Sequence, residues 1–340
     1  MSNFGMKTYT GLWERLIDID NITLAVRRMC RHKNRQCYVR HISANIDLYV
    51  RKVQELLVSG KFHTAEYTTF MQHYPKDRLI YKLPAYPDRI VHHAVMQVTV
   101  PIFMKIFIRD TYSAIPGRGQ TQASRRCAEY TRRYRYCLDC DIRRYHENIR
   151  PDILSRLAHR YFNDGRFMGL FDDIIMSSDH LPTGNYTSQW LANLYLTPLD
   201  LFIKHALHCK GYLRYADNFL LFSNDKKQLL EWENAVWKFL ADYNLTSSHS
   251  VLRDRNQGIY FTGYRHYKKY VLLRKSTIKR QRRYVTRKKG SVAYESLQSM
   301  LGWDRHACSY NFRKRHGLDR LCEELKHESV LRKRRDNVRA

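Results

Sequence analysis

The sequence predicts an α+β fold, helical at both ends around a small antiparallel sheet. Three observations lead there: apolar residues at helical spacing within residues 1–72, a period-two alternation in "YCLDCDI" (136–142), and a basic C-terminal stretch that keeps apolar residues. Hydrophobic residues make up 44% of the 340, enough for a real core and too many for a disordered polyelectrolyte.

Taken in order, "NIDLYVRKVQELLVSGKF" places apolar side chains on one helical face and ends at Gly60, a suitable C-cap. From Tyr74 to Phe107 a Pro-punctuated extended stretch turns, after "PDR", into a helix-length run. A further helix is expected from Gln122, after "PGRGQTQA". In "YCLDCDI", Leu138, Cys140 and Ile142 share one face of a strand, while Asp139 and Asp141 share the other. "GYLRYADNFLLFSND" (211–225) reads as strand with a turn at its polar centre, and "QGIYFTGYRHYKKYVLLR" reads as another hairpin. Between Arg265 and Gly290 stand twelve Lys and Arg and no acidic residue, with Val271, Leu272, Leu273 and Ile278 among them, so this piece is expected to fold as basic helix.

Sixty Lys and Arg against 32 Asp and Glu leave a net charge of +28, and 25 Tyr raise the aromatic share to 13%. Such a chain suits a polyanion: cations displace counterions from phosphates and rings stack on bases. Charge alone leaves a ribosome-like structural binder or an anionic membrane surface open. Insertion into a membrane is not expected, because His92, His93, Pro101 and Lys105 interrupt the most apolar run, "IVHHAVMQVTVPIFMKIFI". Eight scattered cysteines and an N-terminus without a signal-like apolar core suggest reduced thiols in the cytoplasm. Cys137 and Cys140 have a zinc-like spacing, but on a strand they point apart and no second pair stands nearby.

Asp141 and Asp217 lie among apolar neighbours on separate strands. Buried carboxylates repel unless a cation lies between them, so a divalent metal site is the economical reading; an exposed loop position or an arginine partner is the alternative. Mg2+ suits such a site, since it takes oxygen ligands and keeps positions open for phosphate oxygens.

"YRYCLDCDIRRYHENI", "LPTGNYTSQWLANLYLTPLD", "YLRYADNFLLFS", "QGIYFTGYRHYKKYVLLRKSTIKR" and "LGWDRHACSYNF" resemble, in that order, the motif series of bacterial reverse transcriptases. "GNYTSQ" and "LLRKS" resemble most closely those of diversity-generating retroelements. The resemblance implies a right-hand polymerase with fingers, a ferredoxin-like palm sheet and a helical thumb. It divides the chain into an N-terminal helical extension and fingers (1–72), a fingers-palm region (73–265) and a basic helical thumb with a C-terminal tail (266–340). It implies RNA-directed DNA synthesis with two Mg2+ ions, or Mn2+ in their place, held by Asp141, the Ile142 carbonyl and Asp217. The family's second Asp of the Tyr-x-Asp-Asp turn is Asn218 here, which removes a formal charge and a strong ligand; activity and its loss are both open on that ground.

The same resemblance assigns Arg78 and Arg89, with Lys76 behind them, to the triphosphate, because a guanidinium engages phosphate oxygens in pairs. The aromatic gate against a 2′-hydroxyl aligns with Tyr145 or His146, and the sequence does not choose. Thr183, Gly184 and Gln189 fall in the nucleotide-pocket motif. Thr183 stands where the family usually has Gln, and it either loosens the pocket or merely completes a turn. Tyr215, Gly263, Arg274 and Lys275 are expected against nucleic acid, Gly263 through close backbone approach. The partners implied are a template RNA and its hybrid with cDNA, dNTPs and a small basic helical accessory protein. Two other readings are a defence-associated or intron-type reverse transcriptase, and an RNA-binding scaffold without catalysis.

Overall fold

The computed structural model describes residues 8–33, 35–73, 77–287 and 292–327. Four helices lead, α1 (Leu12–Ile17), α2 (Ile19–Cys30), α3 (Cys37–Ala44) and α4 (Ile46–Val58). Asp18 caps α2 by accepting from the Asp20 and Asn21 amides at 2.7 and 3.3 Å, and Ile22, Ala25, Val26 and Met29 form its buried stripe. Gly60, at φ +67, follows α4 in the left-handed conformation that closes a helix. A hairpin follows, β1 (Thr68–Gln72) with β2 (Arg78–Lys82), so the expected division at 72/73 falls between paired strands. β1 is exposed along its length and therefore shows no one-sided apolar pattern in the sequence. After a kinked turn at Ala85–Arg89 comes α5 (Ile90–Ile106), apolar nearly all round, which packs on α2 and anchors the N-terminal helices to the rest.

α6 (Gln120–Arg133) leads into the central strand, β3 (Tyr136–Ile142). Five α-helices and a π-helical turn (Phe202–Ala206) separate β3 from the next strand: α7 (Tyr145–Asn148), α8 (Pro151–His159), α9 (Gly165–Met176), α10 (Ser188–Tyr195) and α11 (Thr197–Leu201), which the turn follows. β4 (Gly211–Tyr215) and β5 (Asn218–Ser223) form a hairpin, and α12 (Lys226–Ala241) joins it to β6 (Ser247–Asp254). The sheet order is β4-β5-β3-β6 with every neighbour antiparallel, a β-α-β-β-α-β arrangement of ferredoxin-like topology.

Both faces of β3 are used. Leu138, Cys140 and Ile142 join Phe219 and Leu221 in the main core, with α12 and the helices that follow β3. Cys137 joins Leu213, Leu220 and Phe222 in a second core beneath Ala123, Cys127 and Tyr130 of α6. Cys137 and Cys140 thus enter opposite cores, and all eight cysteines are free thiols.

Beyond the sheet, β7 (Ile259–Phe261), β8 (Tyr264–His266) and β9 (Val271–Leu273) form a three-stranded meander where the sequence suggested a hairpin, and the 265/266 division falls inside β8. The basic segment folds as α13 (Lys275–Arg287), followed by α14 (Tyr294–Asp304), α15 (Tyr310–Arg315) and a helix at 318–327, around a small core of Val292, Leu297, Leu301 and Leu318. Gly263 requires a correction. Its φ is +87, and a Cβ there would lie 2.5 Å from the Trp303 ring, so the close approach that it permits is made by α14 rather than by a nucleic-acid strand. Among the described residues no helix is long and apolar enough to cross a membrane.

Candidate active site

Asp141, the last residue but one of β3, pairs in register with Asn218 on β5 and His249 on β6. Ser248 Oγ donates to Asp141 Oδ1 at 2.6 Å. The β3–β6 register shifts between Asp141 and Ile142, an irregularity that ends the regular ladder where the Ile142 carbonyl was expected to act. Opposite, β4 and β5 are joined by a two-residue turn, Ala216 and Asp217, closed by the Tyr215–Asn218 pair. Antiparallel pairing of β3 with β5 therefore brings Asp217 beside Asp141, 76 positions away in the sequence.

Burial, with the Asp141 carboxylate as the second cause, raises the Asp217 carboxyl above its ordinary pKa. Two carboxylates that disfavour each other's charge are a donor set that a divalent cation relieves. All donors are oxygens, as Mg2+ prefers. Among the described residues no group of three or more His, Cys, Asp or Glu side chains could hold a metal ion, so the protein offers two carboxylates and the rest of a coordination sphere falls to backbone, substrate and water oxygens.

Arg78, at the start of β2, acts electrostatically on both Asp217 and His146. Burial, with lesser contributions from Arg78 and His180, lowers His146 to about 4, which leaves a neutral imidazole whose Nδ1 has no hydrogen-bond partner. Tyr145 requires a correction as a nucleotide contact: it is 3% exposed, and its hydroxyl donates to the Ala192 carbonyl in the core. Of the two candidate gates, His146 is the one that shares surroundings with Arg78.

Thr183 is docked on β2. Its hydroxyl donates to the Leu79 carbonyl at 2.5 Å, and its carbonyl accepts from the Tyr81 amide at 2.8 Å. Gly184, at φ +123, allows this contact, since a Cβ would collide with the Tyr81 carbonyl. Gln189 is exposed on the first turn of α10. Arg89 turns to the N-terminal helices: its guanidinium donates to Tyr38 Oη at 3.4 Å, and its charge joins burial and Lys33 in lowering His93 to about 4. Tyr215 packs partly buried against the second core. Arg274 and Lys275 are exposed; Arg274 lies 5.7 Å from the Tyr260 ring centroid, which Arg253 and Arg265 also flank at 5.2 and 5.1 Å. Lys76 lies outside the described residues.

Sequence reasoning passed over the group that fixes the turn. Arg214, wholly buried, donates to both oxygens of the wholly buried Asp200 at 2.8 and 2.6 Å, to Asn193 Oδ1 at 3.0 Å and to the Ala216 carbonyl at 3.0 Å. Tyr212 and Thr111 also donate to Asp200, at 2.6 and 3.0 Å. The residue before Asp217 is thereby held at φ +57, a conformation costly for alanine and sustained by this network. An arginine inside the apolar run 211–223 was the available signal, because a buried cation needs a partner.

Two stability changes follow. Asp200→Ala strands the Arg214 cation and is expected to cost about 3–5 kcal/mol, read as a lower urea midpoint at unchanged slope. Asp217→Asn is expected to raise Tm in chelator at neutral pH, because it removes a charge that the fold disfavours. Since folding raises this carboxyl's pKa, the disfavour is complete above the folded value and absent below the unfolded one, so the advantage of Asp217→Asn should shrink on acidification. Melting curves from pH 4 to 8 measure it.

Comparison with known proteins bears on this geometry. Protein YkfC of Escherichia coli (strain K12) is 27% identical over 150 residues, covering 39% of this chain and 39% of that protein. The chain thus matches about two fifths of the length of this curated relative. The family profile for reverse transcriptase (RNA-dependent DNA polymerase) matches residues 74–265, from just ahead of β2 to β8. That span is more than half of the chain and contains the hairpin tip, Asp141 and the buried Arg214 group, and so the chain belongs to the reverse transcriptase (RNA-dependent DNA polymerase) family.

Proposed function

We propose that this chain is an RNA-directed DNA polymerase of a diversity-generating retroelement, copying a template-repeat RNA into error-prone cDNA for mutagenic retrohoming. The observation that carries the catalytic part is the meeting of Asp141 and Asp217 at the sheet tip, with Arg78 acting on the same ground. In this reading the four-stranded sheet is the palm, the β1–β2 hairpin with the N-terminal helices forms the fingers, and the meander with the helices after it forms the thumb. Two Mg2+ ions, with Mn2+ able to replace them, would activate the primer 3′-hydroxyl and offset the charge of the leaving pyrophosphate. Asp141 and Asp217 hold that charge in place, Arg78 engages the triphosphate, and His146 borders the sugar. Arg274 and Lys275 lie along the product strand, whose phosphates the guanidinium cluster around Tyr260 also suits.

The retroelement part rests on "GNYTSQ" and "LLRKS". Thr183 supports it physically: its hydroxyl is spent on the Leu79 carbonyl, so no long side chain from this position packs against an incoming base. A small basic helical accessory protein and a cytoplasmic setting belong to the same reading. The competing reading, an RNA-binding relative without catalysis, draws on Asn218.

Primer extension on an RNA template with the full chain separates the two. Magnesium-dependent product is expected from the wild type and a loss of about 100-fold or more from Asp141→Asn and Asp217→Asn; a silent wild type, alone and with its accessory protein, ends the polymerase reading. Sequenced products should carry substitutions concentrated opposite template adenines, and Thr183→Gln should lower their frequency. An unchanged spectrum in Thr183→Gln removes that residue from the account.

A further inference from the structure

β3 presents two carboxylates on one face, Asp139 and Asp141, and β5 presents Asn218 to that face in register with Asp141. The Asn218 amide nitrogen donates to Asp139 Oδ1 at 3.3 Å and to the Cys140 carbonyl at 3.1 Å. Asp139 is 4% exposed; its other oxygen accepts from Arg253 Nε at 3.0 Å, and His249 Nε2 stands 3.7 Å from Oδ1. Both partners of the Asn218 amide nitrogen are oxygens that accept from it. An aspartate at 218, the residue that the family's turn carries, would remove the amide N–H donor and set a second carboxyl group against the Asp139 carboxyl and the Cys140 carbonyl. The surroundings of residue 218 are built for an amide.

We infer that Asp139 and Asn218 form a coupled pair that takes the place of the turn's second carboxylate. Asp139 is a positioning residue: held by Arg253, it grips the Asn218 amide and so fixes the β4–β5 hairpin, with Asp217 at its tip, against β3 and Asp141. The negative charge absent from position 218 is carried two residues before Asp141, on the neighbouring strand. The catalytic half of this inference rests on the polymerase reading, while the coupling itself does not. It also reverses a simple expectation, since restoring the family's aspartate at 218 alone harms the site instead of repairing it.

Four full-length proteins test it: wild type, Asn218→Asp, Asp139→Asn, and the double variant that exchanges the two residues. Each is melted in chelator and assayed for primer extension across a Mg2+ titration. Asn218→Asp is expected to lower Tm, to slow extension about tenfold and to raise the Mg2+ needed for half-maximal rate, and Asp139→Asn to slow extension comparably. The exchange should recover most of the Tm lost in Asn218→Asp and return the rate to within about threefold of wild type. A shift in Mg2+ requirement that the exchange reverses distinguishes positioning from general destabilisation. The inference is overturned if Asn218→Asp matches or exceeds wild type in both Tm and rate, or if the exchange is no better than Asn218→Asp. Should no protein extend a primer, the polymerase reading fails and the melting cycle decides the pair alone: non-additive Tm changes support it, additive ones overturn it.

Discussion

The geometry of the sheet tip depends on one buried ion pair, Arg214 with both oxygens of Asp200, neither side chain reaching solvent. A cation in a core survives only with its charge met and its donors filled, and here Asp200, Asn193 and the Ala216 carbonyl do both. The same bonds tie together three successive parts of the chain: α10, α11 and the β4–β5 hairpin. Asp217 inherits its position from that junction. Replacing the pair with apolar residues of equal volume would suit the core as well or better, which argues that it is kept for geometry.

Charge is distributed with the same economy. A chain with a net +28 keeps few carboxylates inside, and three of them are matched by cations: Asp110 by Arg126 and Lys204, Asp200 by Arg214, Asp139 by Arg253, which the Asn218 amide joins. Asp88 and Asp304, also buried, are held instead by the Ala65 backbone amide and the Gln281 side-chain amide, and burial raises both carboxyls above their ordinary pKa. Asp217 shares that disfavour, and what sets it apart is its place: its carboxylate neighbour, Asp141, stands with it at the tip of the sheet. That repulsion at the sheet tip, with Arg78 acting on the same carboxylate, separates a candidate catalytic centre from the structural ion pairs around it.

Several residues show how far local reading reaches. Period two in "YCLDCDI" correctly separated the apolar from the acidic face of β3, and it sent Cys137 and Cys140 to opposite cores. Tyr145 and His146 could not be told apart from sequence, because neighbours at the start of a short helix point apart in directions that only packing fixes; the Ala192 carbonyl captured the tyrosine. Arg89 and Gly263 have the right chemistry for phosphate contact and close approach, yet one faces Tyr38 and the other Trp303. Residue type states what a side chain can do, and the neighbour that claims it is decided elsewhere in the chain.

The sequence by itself determined the α+β class, the alternation of the central strand, the basic helical C-terminus and the order of the family motifs, because each is written in short-range periodicity or composition. The tertiary structure alone decided how Asp141 and Asp217 are held together, that Asp139 answers Asn218, and that Arg214 and Asp200 close the core behind the turn. These are contacts between residues from 14 to 79 positions apart, set by strand register and helix docking. A shift of one residue in the β3–β5 register would turn Asp141 away from Asn218 without altering a single local pattern.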